Sequence, residues 1–149
     1  MNNKEIQYFT EGFKLASKQF YIDSMHKFQE LVDEFPESDL ADDALYNIGL
    51  CYFEMNQFQQ CIDTLIGMIK KYPEATITSL EESNAFGRTA AKAYYLILQC
   101  HLGLNDIQSA EAILPKLDLY TDTYILVNDQ KIFFSEIAQN TIDKYKSIF

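Results

Sequence analysis

Turn-forming residues are scarce in this chain of 149 residues, which contains 5 Gly and 3 Pro. A protein built from many short strands needs frequent turns, so the shortage favours long helices. No apolar run approaches the length that spans a bilayer. The N-terminal segment also lacks the apolar stretch and the small-residue cleavage site of a signal peptide. The chain as it stands therefore predicts a cytoplasmic location, whereas a chain trimmed of a leader would be periplasmic.

Positive charge is also scarce. The sequence has 12 Lys and Arg against 22 Asp and Glu, which gives a formal net charge of −10. Such a surface repels phosphate backbones and anionic lipid headgroups. We therefore expect no nucleic-acid partner and no insertion into a membrane. A basic or apolar protein segment fits this charge better.

The residues that usually carry chemistry are few and scattered. There are 2 His and 3 Cys, and neither metal-ligand spacings such as C-x-x-C and H-E-x-x-H nor Gly-rich phosphate loops occur. An odd number of Cys without a secretion signal argues against a disulfide framework, and small buried side chains account for them. The sequence therefore predicts no metal, no cofactor and no catalytic residues, and hence a protein that is not an enzyme.

Residues 41–73 contain two helical patterns joined at Asn56. The first pattern carries Leu45, Ile48, Gly49 and Tyr52, the second carries Cys61, Leu65 and Met68, and Pro73 closes the unit. This order of large, small and aromatic residues resembles the tetratricopeptide repeat (TPR), a pair of antiparallel helices.

The linker at 35–52 further resembles two groups of bacterial envelope TPR proteins. These are the lipoprotein of the outer-membrane β-barrel assembly machinery and the periplasmic protein associated with Tol-Pal.

Weaker copies of the unit lie on both sides. When the copies are aligned on Ser24, Cys61 and Ala110, the spacings are 37 and 49 residues, against a usual period of about 34. We therefore expect repeats at about 5–38, 39–75 and 80–118, with an insertion at 74–90 before the third copy.

The third copy departs from the pattern. We expect its first helix to run from about Leu80 to Leu102, opened by a capping box of Ser79 and Glu82. Pro115 falls inside its second helix and should kink or end it. Residues 118–129 are predicted to be irregular, with 124–127 either extended or a short helix.

A last amphipathic helix is expected at about 130–147, because apolar residues recur there at helical spacing. Stacked repeats leave an apolar end that such a helix would cover. The sequence therefore predicts an all-α fold in a single domain, 1–149: an α-solenoid of three TPR-like helix pairs with a C-terminal capping helix.

The first helices of stacked pairs line a concave groove. The residues predicted to face it are Phe9, Phe13, Tyr46, Asn47, Leu50, Phe53, Tyr95 and Gln99. Some TPR domains of the co-chaperone type hold a partner's C-terminal carboxylate with Lys, Arg and Asn on these faces. Only Asn47 matches that chemistry here, so the expected function is a non-catalytic scaffold or adaptor that binds an apolar or aromatic segment of a protein partner.

Three alternatives remain open at this point. The chain could be a small acidic TPR chaperone for a secreted or assembly client, or a self-assembling structural subunit. The C-terminal helix could also fold back into the groove, or exchange with a second copy to form a homodimer.

Overall fold

The structure is a computed structural model, and it describes residues 2–80 and 83–149. Contacts within the chain divide it into two compact units, Met1–Tyr72 and Pro73–Phe149. The single domain expected from the sequence stays a prediction. None of the helices in the described ranges is both long enough and apolar enough to cross a membrane.

Unit 1 consists of two antiparallel helix pairs. The helices are α1 (Asn3–Ser17), α2 (Tyr21–Glu34), α3 (Ala41–Glu54) and α4 (Phe58–Lys71). Helix α1 begins with a capping box, in which the Asn2 side chain accepts from the backbone N–H groups of Lys4 and Glu5. The Glu5 carboxylate accepts in return from the Asn2 N–H at 2.8 Å, so both partners satisfy otherwise unpaired donors.

Each helix pair turns on one residue in the left-handed backbone region. These residues are Gln19 (φ 66°) and Asn56 (φ 59°) in unit 1, and Asn105 (φ 58°) in unit 2. Asn tolerates this conformation better than most residues, which explains its use at two of the three turns. The predicted turn at Asn56 is confirmed.

The helices within a pair approach closely where glycine removes a side chain. A Cβ atom at Gly12 would lie 2.7 Å from Phe28 Cζ, and one at Gly49 would lie 2.7 Å from Leu65 Cδ2. The buried side chains of Phe28 and Leu65 fill the space that the two glycines leave. One core cluster of unit 1 comprises Phe9, Met25, Phe28, Leu31, Val32, Leu40, Ala44, Ile48 and Cys51.

Unit 2 contains the third helix pair. Its first helix is α5 (Thr89–Gly103), and its second is divided into α6 (Ile107–Glu111) and α7 (Leu114–Leu117). Pro115 lies in the first turn of α7. Since proline has no N–H and its ring crowds the carbonyl four residues back, the helix cannot run through this point. The predicted interruption is confirmed.

The expected helix from about Leu80 is wrong for residues 83–88. This stretch contains strand β1 (Ala85–Phe86), and α5 begins only at Thr89. Gly87 has φ +117°, and a Cβ there would lie 2.5 Å from the Asp122 carbonyl oxygen, so this backbone is neither helical nor open to a larger residue. Glu82 of the predicted capping box lies outside the described residues.

The segment before the last helix forms a β-hairpin. Strands β2 (Tyr124–Val127) and β3 (Gln130–Phe133) are antiparallel, and with β1 they make a sheet in the order β1-β2-β3. Asn128 and Asp129 form the two-residue turn with φ of 51° and 64°. Residues 124–127 are therefore extended, and the expected helical start at about 130 is wrong because β2 pairs with 130–133.

The final helix, α8 (Phe134–Ile148), packs against α5, α6 and α7 through the buried side chains of Phe134, Ala138 and Ile142. It covers the end of the third pair, as predicted. The helical repeat fold with a C-terminal capping helix is thus confirmed, and the small sheet is an addition that the sequence analysis did not predict.

The close approach at Gly12 yields a stability prediction. Gly12→Ala should lower the free energy of unfolding by about 1 kcal/mol, because overpacking against the buried Phe28 ring outweighs the helix propensity gained. Gly67 lies in α4 with no atom within 4 Å of a Cβ built on it, so Gly67→Ala should raise stability by about 0.5–1 kcal/mol. Urea unfolding of both variants tests this, and equal stabilisation by the two would contradict the packing described here.

Candidate functional site

A cleft of about 320 Å³ opens in unit 1 between α1, the start of α2 and α3. The side chains around it are mostly apolar or aromatic. Its lining residues are Phe13, Ala16, Ser17, Tyr21, Asn47, Leu50, Cys51 and Glu54.

Helical spacing brings these residues together. Phe13, Ala16 and Ser17 lie three and four positions apart on α1 and therefore share one face. Asn47, Leu50, Cys51 and Glu54 do the same on α3, at intervals of three and four. Tyr21 is the first residue of α2, and the tight turn at Gln19 carries it back beside α1.

The Phe13 ring is held by two buried aromatic rings. Its centroid lies 5.2 Å from that of Phe9 and 6.1 Å from that of Phe28, and the Phe9 and Phe28 centroids are 5.6 Å apart. Tilted and edge-on ring pairs of this kind are favourable arrangements. Phe13 is nevertheless 37% exposed, so the cleft presents an aromatic surface whose position the core fixes.

The polar atoms around the cleft are few. Asn47 Nδ2 donates to the Asp43 carbonyl at 2.8 Å within α3, which holds the amide against its own helix. Glu54 is exposed at the rim and is the single charged residue among the described residues that line the cleft. None of the described residues that line the cleft is Lys or Arg.

Cys51 at the base of the cleft belongs to a buried chain of hydrogen bonds. Its Sγ lies 3.7 Å from Ser24 Oγ, and Ser24 Oγ donates to the Gly12 carbonyl at 2.7 Å. Burial raises the pKa of the Cys51 thiol, while the contact with Ser24 acts in the opposite direction. The thiol is therefore neutral at physiological pH and serves packing.

Three of the eight residues predicted for the groove line this cleft: Phe13, Asn47 and Leu50. Phe9, which was expected to face the groove, is 1% exposed and supports Phe13 from within the core. Tyr46 is buried. Phe53 is half-buried and packs edge-on against Phe58, with the two ring centroids 5.6 Å apart. Binding by the complete set stays a prediction.

The two remaining groove residues, Tyr95 and Gln99, lie half-buried on α5 in unit 2. The Tyr95 hydroxyl is hydrogen-bonded to Thr141 Oγ1 at 2.8 Å, and its ring centroid is 5.9 Å from that of Phe134. Both contacts are with α8, so the capping helix covers part of the face that the sequence assigned to a partner.

Sequence reasoning missed five of the residues that line the cleft: Ala16, Ser17, Tyr21, Cys51 and Glu54. Ser17 and Glu54 follow Phe13 and Leu50 by one helical turn, a spacing visible in the sequence. Tyr21 gave no comparable signal, because its place depends on how α2 folds back on α1. Among residues 2–80 and 83–149, no three His, Cys, Asp or Glu side chains are placed to hold a metal ion.

The buried thiols generate a prediction about reactivity. Cys51, Cys61 and Cys100 are all buried, so iodoacetamide at pH 8 should label them only when the protein is unfolded in urea. Because burial raises the pKa of Cys51 in the folded protein above the unfolded value of about 8.5, the thiol favours the folded state fully below that value. This contribution to the free energy of unfolding is lost as pH rises through the folded pKa. Rapid labelling of Cys51 in the folded protein, located by peptide mass mapping, would show a reactive site in the cleft instead.

Comparison with known proteins supports the repeat assignment. Residues 43–75 match a family model described as tetratricopeptide repeat. This match covers all but the first two residues of α3 and the whole of α4, whose packed residues Ile48, Gly49, Cys61 and Leu65 carried the pattern in the sequence. No curated protein sequence matches the chain.

Solved structures share the fold at low sequence identity. The Hsp90 co-chaperone Cns1 from Saccharomyces cerevisiae is 12% identical with a TM-score of 0.67, over 99% of this chain and 42% of that one. The TPR2AB domain of yeast Sti1, in complex with pHSP90, is 13% identical with a TM-score of 0.69, over 97% and 48%. The TPR domain of Arabidopsis FLU is 15% identical with a TM-score of 0.57, over 76% and 90%.

At these identities the likeness concerns the fold alone, and the chain spans less than half the length of the Cns1 and Sti1 chains. The closer resemblance of the linker to bacterial envelope proteins finds no support in these structures. Residues 43–75 thus match the tetratricopeptide repeat, and the chain has a helical repeat fold similar to that of TPR domains.

Proposed function

We propose that this protein is a non-catalytic adaptor that binds an apolar or aromatic segment of a partner protein in the cleft between α1 and α3. The observation that carries the proposal is the exposed Phe13 ring facing Leu50 across a concave surface of about 320 Å³. A large apolar ring left in contact with water in a concave site gains free energy when a partner covers it.

The size of the cleft suits a peptide anchor. A volume near 320 Å³ is at the lower end for ligand sites and has room for one or two large side chains. Phe13 is fixed by Phe9 and Phe28, so little side-chain entropy would be lost on binding. A partner would bring an anchor such as Phe, Leu or Tyr, with its backbone along α1 and α3.

The chemistry of the cleft differs from that of a carboxylate clamp. Cns1 is an Hsp90 co-chaperone and the Sti1 domain was solved with pHSP90, but these proteins share only the fold with this chain. Among the described residues of the cleft there is no Lys or Arg to pair with a terminal carboxylate. Apolar anchoring is therefore the better match for the residues present.

A displayed library of random twelve-residue peptides tests the proposal without a known partner. The native chain should enrich peptides that contain aromatic or large aliphatic residues. Leu50→Asp should weaken binding of an enriched peptide at least tenfold, as expected for the loss of a central apolar contact. Fluorescence anisotropy with the synthetic peptide gives the affinity.

Ile66→Asp supplies the matched control. Ile66 is an exposed aliphatic residue on α4, at 40% exposure, and does not line the cleft. The substitution is chemically similar, so binding should remain within about twofold of native, since contacts outside the buried centre of an interface contribute little. Circular dichroism must show that both variants are folded. Failure to enrich any peptide, or equal loss in both variants, would overturn the proposal.

A further inference from the structure

Glu54 is the last residue of α3 and lies on the rim of the cleft. The C-terminal end of a helix carries partial negative charge from its outward carbonyl groups, so a carboxylate there is unfavourable and a basic side chain is preferred. Helix α3 has no basic residue in its last turn. By contrast, Lys14 lies in the last turn of α1, and Lys70 and Lys71 lie in that of α4.

The carboxylate at the end of α2 shows how such a residue can be compensated. Glu34 pairs with Lys4 Nζ at 2.8 Å and accepts from the Tyr8 hydroxyl at 2.6 Å. The hydrogen bonds from Lys4 and Tyr8 hold the pKa of Glu34 below its usual value. The negative charge of the Glu34 carboxylate is therefore balanced by Lys4 within the fold.

Glu54 has no such compensation. In the described ranges no Lys or Arg lies within ion-pairing distance of its carboxylate, and no side chain donates to it. The described residues that line the cleft add no positive charge. The carboxylate and the end of α3 thus form a negative rim beside an apolar cleft, and no Lys or Arg among the described residues of unit 1 forms an ion pair with Glu54.

We infer that Glu54 selects partner segments in which a Lys or Arg side chain lies close to the apolar anchor. The inference rests on the proposed function of the cleft and specifies its partner. An ammonium or guanidinium group placed at the rim would pair with Glu54 and with the negative end of α3 together. A segment with a carboxylate or phosphate at that place would be repelled, which also agrees with the net charge of −10.

The first test is the composition of the peptides enriched by the native chain. They should contain Lys or Arg within about one helical turn of the anchor more often than the unselected library does. The strongest binder is then synthesised in two forms, one with its basic residue and one with Glu at that position. The basic form should bind the native chain about tenfold more tightly than the Glu form.

Glu54→Gln should weaken the basic peptide about threefold, in the range of a rim-exposed ion pair, and reduce the salt dependence of its binding. Glu54→Lys should reverse the preference between the two peptides. Its unfolding midpoint should stay unchanged or rise, because a basic residue suits the end of α3. The peptide preference then reverses without any loss of stability, which a merely structural role of Glu54 would not produce.

Asp63→Lys is the control for net charge. Asp63 is exposed on α4, accepts from Gln59 at 3.0 Å and does not line the cleft, so the same change of charge there should leave the peptide preference intact. Enriched peptides without basic residues, or a preference unaffected by Glu54→Lys, would overturn the inference while leaving apolar binding by Leu50 in place. If no peptide is enriched at all, the proposed function fails and this inference fails with it.

Discussion

The close approach of the two helices in each pair is the constraint on which unit 1 depends. Gly12 and Gly49 leave room for Phe28 and Leu65, whose side chains would otherwise meet a Cβ atom at 2.7 Å. Because the helices touch at these points, the side chains of Phe28 and Leu65 are fully buried between them. The Ser24 hydroxyl uses the same proximity to reach the Gly12 carbonyl, which ties α2 to α1 with a buried hydrogen bond.

The cleft follows from this packing. With Phe28 seated at Gly12, the Phe9 and Phe28 rings occupy the core and Phe13 is left at its edge. Helix α3 packs on α2 and presents Leu50, Cys51 and Glu54 to the cleft at helical spacing. The site is therefore built on helices rather than loops, and its exposed apolar surface and negative rim come from Phe13, Leu50 and Glu54, which lie outside the core cluster.

In unit 2, tertiary contacts replace part of a predicted helix with a strand. Arg88 lies 4.3 Å from the Tyr120 ring centroid and pairs with Asp122 at 3.1 Å, and its backbone N–H donates to Thr123 Oγ1. These contacts join the insertion to the segment before β2, so 85–86 pair as a strand instead of extending α5. The β2–β3 hairpin did carry a local signal, since Asn128-Asp129 directly after the apolar run 124–127 is typical of a tight turn.

The sequence by itself determined the repeat, because the spacing of Ile48, Gly49, Cys61 and Leu65 records which faces of two helices must touch. It also determined the Asn56 turn and the break at Pro115, which depend on local backbone preferences. Only the tertiary structure decided that Phe9 is core while Phe13 is exposed, and that α8 covers Tyr95. Neighbouring positions on one apolar helix face look alike in sequence, and only the packed neighbours decide which side chains remain in contact with water.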